Sequence, residues 1–333
     1  MIEARYYTIE ENAVRCGLCP HRCRIYDGAA GICGVRKNDN GRLVADAYAQ
    51  VVSTSMDPIE KKPLYHFHPG TDIFSVGSVG CNFNCRFCQN YTISQSRPPT
   101  QQFSPEELVA TARQSGSDGI AYTYNEPLIN FEYVLESCRI AKQQGLWNVL
   151  VTNGFINPEP LGELLPATDA ANIDLKSIRP DFYTRLCGGR LEPVLDTIQA
   201  ASRAIHLEIT NLVIPEENDA DTDLEDLAAW IAEKTGPDTP LHLSAYFPRY
   251  RLNRPATTAE CLQRASEICG RHLRYVYLGN VMISDAGDTR CPDCGSRMIS
   301  RRGYHVSLLG LDRDMKCTEC GRPFPGVTGA GSR

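Results

Sequence analysis

The sequence predicts an α/β protein with a partial (β/α)6-type barrel and a small cysteine-rich, metal-binding segment at each end. Two observations support this. Strand and helix patterns alternate in six or seven units, and such units form parallel sheets with right-handed crossovers. The 15 cysteines fall mostly into three groups, two of them outside the alternating region. We therefore expect an N-terminal cysteine-rich segment and connection (1–70), a barrel (71–286) and a C-terminal module (287–333).

The barrel strands are predicted from short apolar runs bounded by turn residues. These runs cover residues 73–79, 119–124, 147–152, 170–175, 206–214, 241–246 and 275–278. Catalytic groups of such barrels lie at the C-terminal ends of the strands. Those ends are therefore where site residues are expected.

The helices are predicted from capping residues and apolar periodicity. Ser104 is a typical N-cap, with Pro105 at the first helical position and Glu107 at the third. Gly145 follows a helical pattern in the place typical of a C-terminal cap. Beyond the helix that opens at Ser104, the predicted helices are 128–144, 158–165, 180–186, 191–204, 221–234 and 258–269.

Composition narrows the class of protein. The formal net charge is −6, and no basic stripe suggests nucleic-acid binding. No apolar run approaches the roughly 20 residues of a membrane span, and the N-terminus lacks the apolar stretch of a signal peptide. Many cysteines without an export signal indicate metal binding in a reducing cytoplasm rather than disulfides.

The most informative motif is C-x3-C-x2-C, formed by Cys81, Cys85 and Cys88 after the first barrel strand. An iron–sulfur cube is normally held by four thiolates, so three leave one iron open to a non-protein ligand. A structural zinc site closes with four ligands. The alternative is a zinc knuckle completed by a distant histidine.

Polar residues follow the next strands. Asn125 and Glu126 follow the second strand, Asn153 follows the third, and Lys176 follows the fourth. A lysine can pair with a carboxylate and a glutamate can accept from an ammonium or a ribose hydroxyl, as a zwitterionic cofactor requires. The alternative is that Asn153 belongs to an ordinary turn and Lys176 is a surface lysine.

With Phe87 before its last cysteine, the loop resembles the signature of the radical S-adenosylmethionine (SAM) enzymes. The resemblance implies a [4Fe-4S] cluster whose open iron binds the amino and carboxylate groups of SAM. It also implies that Phe87 packs near the adenine and that Asn125, Glu126, Asn153 and Lys176 contact SAM. Where these enzymes usually have Gly-Gly-Glu-Pro, the chain has Tyr124-Asn125-Glu126-Pro127.

Within that superfamily the chain resembles the relatives of pyruvate formate-lyase activating enzyme. The shared marks are Gln89-Asn90 after the cysteine loop, Thr152-Asn153-Gly154 and Asp174-Leu175-Lys176. Those enzymes have an aspartate where this chain has Val151, so one SAM contact is absent or replaced.

A closer resemblance is to the radical SAM member of the AmmeMemoRadiSam system. It rests on three segments: Cys16-Gly17-Leu18-Cys19-Pro20-His21, residues 57–67, and Val276-Tyr277-Leu278-Gly279-Asn280. The resemblance implies hydrogen abstraction from a small-molecule or protein substrate, with an electron donor such as flavodoxin or ferredoxin. The alternatives are a glycyl-radical-enzyme activase and a non-catalytic zinc or iron–sulfur scaffold.

The two terminal cysteine groups predict further metal sites. Cys291, Cys294, Cys317 and Cys320 form two C-x2-C pairs, each followed by glycine, as in zinc ribbons. A single rubredoxin-like iron is the alternative. The N-terminal group has the spacing C-x2-C-x3-C-x9-C and comprises Cys16, Cys19, Cys23 and Cys33. Its ligand type suits either zinc or a second four-iron cluster.

Two further features carry open hypotheses. Cys187 precedes Gly188-Gly189 in a predicted loop, which makes it a candidate site residue. The segment 57–68 is rich in ionisable residues just before the first barrel strand. It is either part of a substrate opening or a solvated connection.

Overall fold

The computed structural model describes residues 2–328. The N-terminal residues form short strands that the sequence patterns did not predict: β1 (Ile2–Glu3), β2 (Tyr7–Glu10), β3 (Ala13–Cys16), β4 (Arg24–Tyr26), β5 (Arg36–Asp39), β6 (Arg42–Ala45) and β7 (Gln50–Val51). Strands β2, β3 and β4 make one antiparallel sheet, and β1, β6 and β5 make another. The cysteine-rich segment is therefore folded on two small sheets.

The predicted α/β barrel is confirmed. Its strands are β8 (Ser53–Pro58), β9 (Asp72–Gly77), β11 (Gly119–Tyr122), β12 (Trp147–Thr152), β13 (Ala170–Asp174), β14 (His206–Val213), β15 (Leu241–Ala245) and β16 (Val276–Gly279). The short strand β10 (Gln101–Gln102) lies outside the barrel and pairs with β7. The eight-stranded sheet has the order β16-β15-β14-β13-β12-β11-β9-β8. All seven predicted strands are present and parallel, whereas β8 adds an antiparallel edge. Because β8 and β16 are the two edges, the barrel is partial.

The helices lie between the strands, and all but the short α1 are predicted. They are α1 (Tyr91–Ser94), α2 (Pro105–Gln114), α3 (Phe131–Gln143), α4 (Pro158–Leu164), α5 (Pro180–Phe182), α6 (Glu192–Ala204), α7 (Asp221–Thr235) and α8 (Ala259–Cys269). Helix α2 begins with the predicted capping box between Ser104 and Glu107. Single 3-10 turns cover Ile59–Lys61, Pro127–Asn130 and Leu165–Ala167. The helix predicted at 180–186 is the short α5 continued by a π-helix, Tyr183–Cys187.

Alternation along the strands separates two cores. Ile120 and Tyr122 of β11 pack with the helices in the large outer core. Ala121, between them, faces the barrel interior and packs with Ile59 and Phe67. The segment 59–67 therefore fills the interior of the barrel.

A buried carboxylate holds this filling segment in place. Glu208 of β14 is fully buried and accepts hydrogen bonds from the backbone N–H groups of Tyr65 (2.9 Å) and His66 (2.7 Å). The rings of His206 and His242 lie 3.0 and 2.6 Å from its two oxygens. The hypothesis of a solvated connection is therefore wrong, because the segment is an internal plug.

The C-terminal residues form a third small sheet, β17 (Thr289–Arg290), β18 (Arg297–Arg302) and β19 (His305–Leu308). Arg301, 4% exposed, joins this sheet to the plug. It donates to the carbonyl oxygen of Tyr65 at 2.6 Å, and its guanidinium lies 4.2 Å from the centre of the Tyr65 ring. Residues 329–333 of the predicted module lie outside the described residues. Within 2–328, none of the helices has the length and apolar character needed to cross a membrane.

Candidate active site and metal centres

The cysteine loop leaves the C-terminal end of β9, where barrel chemistry is expected. Cys85 is buried, whereas Cys81 and Cys88 are partly exposed. The π-helix holds the loop through its backbone: the N–H of Asn84 donates to the carbonyl oxygen of Cys187 at 2.8 Å, and that of Arg86 donates to Leu186 at 2.9 Å. The irregular helix turn thus fixes the middle of the loop.

Each of the three thiols has a hydrogen-bonding side chain beside it. The Asn153 amide donates to the sulfur of Cys81 across 3.6 Å. The neighbouring Cys187 thiol lowers the pKa of the Cys85 thiol. The hydroxyl of Ser94 lies 3.2 Å from the sulfur of Cys88. Burial raises the pKa of the Cys81 and Cys88 thiols, and the Ser94 hydroxyl opposes that effect at Cys88. The thiolate is the form that binds iron.

The first residue of the loop is held by Asn125. Its side-chain oxygen accepts from the N–H of Ser78 at 2.9 Å, and its amide donates to the carbonyl oxygens of Val79 (3.2 Å) and Gly80 (3.1 Å). Asn125 was predicted to contact SAM. In this structure its amide fixes the junction between strand and loop.

Glu126 is fully engaged within the protein. Its carboxylate accepts from the N–H of Leu128 (3.0 Å), the hydroxyl of Thr152 (2.6 Å) and the N–H of Asn153 (2.8 Å). Burial raises the pKa of Glu126 to about 7, and these three donors oppose that effect. The carboxylate therefore orients Asn153, which in turn reaches Cys81.

Lys176 stands at the other side of the loop. Its side chain is 14% exposed, and its ammonium lies 2.8 Å from the Asp174 carboxylate and 5.9 Å from the centre of the Phe87 ring. Burial disfavours its charged form, but the Asp174 carboxylate outweighs burial, and the pKa of Lys176 lies well above its usual value. Lys176 is therefore a buried cation beside the cysteine loop, not an ordinary surface lysine.

The positions of two side chains beside the loop sulfurs were not predicted from the sequence. Cys187 was only a loop candidate, and the structure places its buried thiol against Cys85. Ser94 was not singled out, although it lies six residues after Cys88. No sequence signal marks Ser94, but the glycine pair after Cys187 does mark a close approach, since a Cβ on Gly189 would lie 2.2 Å from the Phe83 ring.

The C-terminal cysteines form a compact site. Within residues 2–328, Cys291, Cys294, Cys317 and Cys320 are the one group of at least three His, Cys, Asp or Glu ligands whose donor atoms all lie within 4.8 Å of one another. Two sulfur pairs are 3.5 and 3.6 Å apart. Tetrahedral zinc with bonds of about 2.3 Å needs sulfurs about 3.8 Å apart, so the geometry fits a single metal ion.

The N-terminal cysteines surround a different space. All four line one small, partly enclosed pocket. The other lining residues are mostly apolar, with Arg36 and His21 as the polar exceptions. Unlike the C-terminal cysteines, these sulfurs do not gather within 4.8 Å of one another in the described chain.

Comparisons with known proteins agree with this geometry. The sequence profile described as "Radical SAM superfamily" matches residues 75–230. The "Uncharacterized protein MJ0808" of Methanocaldococcus jannaschii is 42% identical over 329 residues, which cover 96% of this chain and 98% of that protein. This chain therefore belongs to the radical SAM superfamily, and it is an enzyme of that class.

One further protein of similar sequence and one solved structure of similar fold are informative. "Pyruvate formate-lyase 1-activating enzyme" of Escherichia coli (strain K12) is 25% identical over 150 residues, 43% of this chain and 61% of that enzyme. The solved structure of a radical SAM methyltransferase from Sphaerobacter thermophilus has a TM-score of 0.50 at 16% identity, covering 73% of this chain and 72% of that one. The methyltransferase shows similarity of fold alone. The finer resemblance to the AmmeMemoRadiSam system stays a prediction.

Proposed function

We propose that this enzyme reductively cleaves SAM and uses the resulting 5′-deoxyadenosyl radical to remove hydrogen from a substrate C–H bond. Cys81, Cys85 and Cys88 hold the [4Fe-4S] cluster in this proposal. The observation that carries it is the three-cysteine loop at the C-terminal end of β9, where Asn153 and Ser94 lie within hydrogen-bonding distance of the sulfurs of Cys81 and Cys88. When bound, the cluster and SAM supply the one-electron chemistry, while the protein supplies binding, orientation and electrostatics.

The protein's own contribution begins with the sulfurs. Asn153 donates toward the sulfur of Cys81, and such a hydrogen bond raises the reduction potential of an iron–sulfur centre. Glu126 and Asn125 act one step away. Glu126 orients Asn153, and Asn125 fixes the backbone at Gly80. We propose these two as positioning residues rather than direct contacts of SAM.

We propose that Lys176 and Phe87 form the wall against which SAM binds. The ammonium of Lys176 has three donors and uses one on Asp174, so donors remain for the SAM carboxylate. The nearby Phe87 ring is 3% exposed and packs against Phe182, with ring centres 5.8 Å apart. A buried cation next to an aromatic ring suits a ligand with a carboxylate at one end and an adenine at the other.

The substrate would lie on the interior face of the sheet, at the C-terminal ends of its strands. Partly exposed side chains point there from β13, β14 and β15, and they are Asp174, Thr210, Leu212 and Ser244. We propose a protein substrate as the first candidate, because a relative is named as the activating enzyme of pyruvate formate-lyase. Transfer of a hydrogen atom from a protein glycine is the corresponding glycyl-radical activation. A small molecule is the alternative.

An external carrier must supply the electron. Arg86, Arg249 and Arg251 are exposed around the cysteine loop, and the N–H of Arg251 donates to the carbonyl oxygen of Arg86 at 2.8 Å. On a chain of net charge −6, this local positive surface suits an acidic electron carrier such as flavodoxin or ferredoxin. We place the enzyme in the cytoplasm, where reducing conditions preserve its thiols.

The test is anaerobic, reconstituted protein reduced in the presence of SAM. Wild type should release 5′-deoxyadenosine. Cys85→Ala should release none, because two thiolates hold the cluster poorly. Cys261→Ala is the matched control, since Cys261 is a partly exposed helix residue outside the loop. Cleavage by Cys85→Ala at the wild-type rate would disprove the assignment. Neither result depends on knowing the substrate.

A further inference from the structure

We propose that Cys16, Cys19, Cys23 and Cys33 hold a second [4Fe-4S] cluster, packed directly against the loop of the first. Spacing alone slightly favours zinc and leaves a second cluster open. Three observations of the folded chain favour the cluster: the separation of the sulfurs, one N–H of a buried guanidinium without a partner, and the contact between the two cysteine groups.

The sulfurs of this chain fall into two geometries. The C-terminal quartet is already drawn together to the separation that one zinc ion needs. The N-terminal quartet instead lines a small pocket, and in the described chain no three of its sulfurs lie mutually within 4.8 Å. Cys81, Cys85 and Cys88 share this wider spacing in the described chain. A cube, whose four irons each take one thiolate, requires ligands farther apart than a single ion does.

The pocket also contains an unused hydrogen-bond donor. Arg36 lines it and is 1% exposed. Its terminal nitrogens are taken by the buried Glu132 carboxylate, at 2.9 Å, and by the carbonyl oxygen of Arg5. The Nε–H has no partner among the described residues. A buried polar group normally has a partner, and a sulfur of an anionic cluster would satisfy this one.

The pocket touches the first cysteine loop at two points. Gly80, next to Cys81, has a φ of +84°, and a Cβ there would lie 2.6 Å from the carbonyl oxygen of Cys33. The ring of His21 lies 2.7 Å from the carbonyl oxygen of Asn82. Only glycine permits this approach of Cys33 to the loop. The second cluster would thus sit one residue from a ligand of the first, a position suited to electron exchange between them.

The experiment measures iron, acid-labile sulfide and zinc, with EPR spectra in the presence and absence of SAM. Wild type should hold about eight irons. The Cys81→Ala/Cys85→Ala/Cys88→Ala variant should keep about four irons and an EPR signal that SAM does not change. This variant leaves the N-terminal residues untouched, so it tests the proposal even if N-terminal variants fail to fold.

The reciprocal variant is Cys19→Ser. It should lose about four irons and keep the signal that SAM alters. Cys261→Ser, which removes a thiol away from both groups, should match wild type. The proposal is overturned if the triple variant contains no iron, or if Cys19→Ser removes zinc instead of iron. If the SAM-cleavage proposal failed instead, wild type would lack the EPR signal that SAM alters, whereas the iron held by the N-terminal cysteines would be unaffected.

Discussion

Asn153 donates its side-chain amide to the sulfur of Cys81, with an Nδ2–Sγ distance of 3.6 Å. The two residues are 72 positions apart and follow different strands, β12 and β9. The same amide donates to Asn82 at 2.9 Å, and the backbone N–H of Asn153 is held by Glu126 at 2.8 Å. The orientation of the amide is therefore fixed from both ends.

Removing this amide should lower the reduction potential of the SAM-binding cluster. A hydrogen bond to sulfur stabilises the more negative, reduced state. A loss of about 1 kcal/mol corresponds to a shift of roughly 40 mV for one electron, so Asn153→Ala should titrate at a potential lower by about that amount. An EPR-monitored redox titration measures it. Asn40→Ala is the control, because its exposed amide donates to the Asp39 carboxylate and not to sulfur. Equal potentials for Asn153→Ala and wild type would contradict the assigned role.

Lys176→Ala should weaken SAM binding by about tenfold or more. A charge-assisted hydrogen bond contributes roughly 1.5–3 kcal/mol, and about 1.4 kcal/mol is tenfold in affinity. The change also leaves the Asp174 carboxylate unpaired near the SAM carboxylate. Lys176→Arg should retain only part of the wild-type affinity for SAM, because the guanidinium is larger and differently hydrated than the ammonium.

The measurement is the SAM-induced change in the EPR spectrum of the reduced protein, titrated with SAM. Lys142→Ala is the control, since Lys142 is 52% exposed and pairs with Asp169 instead. Equal midpoints for Lys176→Ala and wild type would show that this lysine does not bind SAM.

His66 should make the fold sensitive to acid. Burial lowers the pKa of His66 to about 3. The nearby Glu208 carboxylate opposes this shift but does not cancel it. Because the unfolded chain binds a proton at higher pH than the folded one, stability from this group is lost as pH falls from about 6.5 toward 3. The slope is roughly 1.4 kcal/mol per pH unit.

His66→Phe removes this titration while keeping aromatic contacts with Tyr275 and Phe324, whose ring centres lie 4.6 and 4.7 Å away. Between about pH 6.5 and 5, the free energy of unfolding of wild type should fall by roughly 2 kcal/mol more than that of the variant. Denaturant unfolding at both pH values measures it. His305→Phe, at an exposed position, should keep the wild-type slope. Parallel pH dependence in wild type and His66→Phe would refute the idea.

The C-terminal quartet should bind one zinc ion independently of the iron. Cys294→Ser should lose about one zinc per chain and keep both the iron content and the SAM-sensitive EPR signal. Cys294 is suitable because it is exposed, so the change leaves the packing of the module intact. Metal analysis of purified protein measures the result. Unchanged zinc in Cys294→Ser would exclude this quartet as its site.

The strands of the barrel were predictable because their signal is local. A buried parallel strand such as β11 or β12 is a nearly continuous apolar run, and capping residues such as Ser104 mark the start of a helix. Strand β8, Ser53–Pro58, carries no such signal, since it is polar and ends in proline. It is a strand because it pairs with β9 along its whole length.

The sequence by itself determined the class of this protein: an alternating α/β pattern, a three-cysteine loop after its first strand, and two terminal cysteine groups. Tertiary structure alone decided what surrounds the sulfurs. The packing of distant segments sets the distances between the thiols and the directions of the hydrogen-bond donors. Neither can be derived from the spacing of the cysteines along the chain. For this reason Cys187 lies against Cys85, the donor at Cys81 comes from Asn153, and the two terminal quartets differ in geometry although both contain four cysteines.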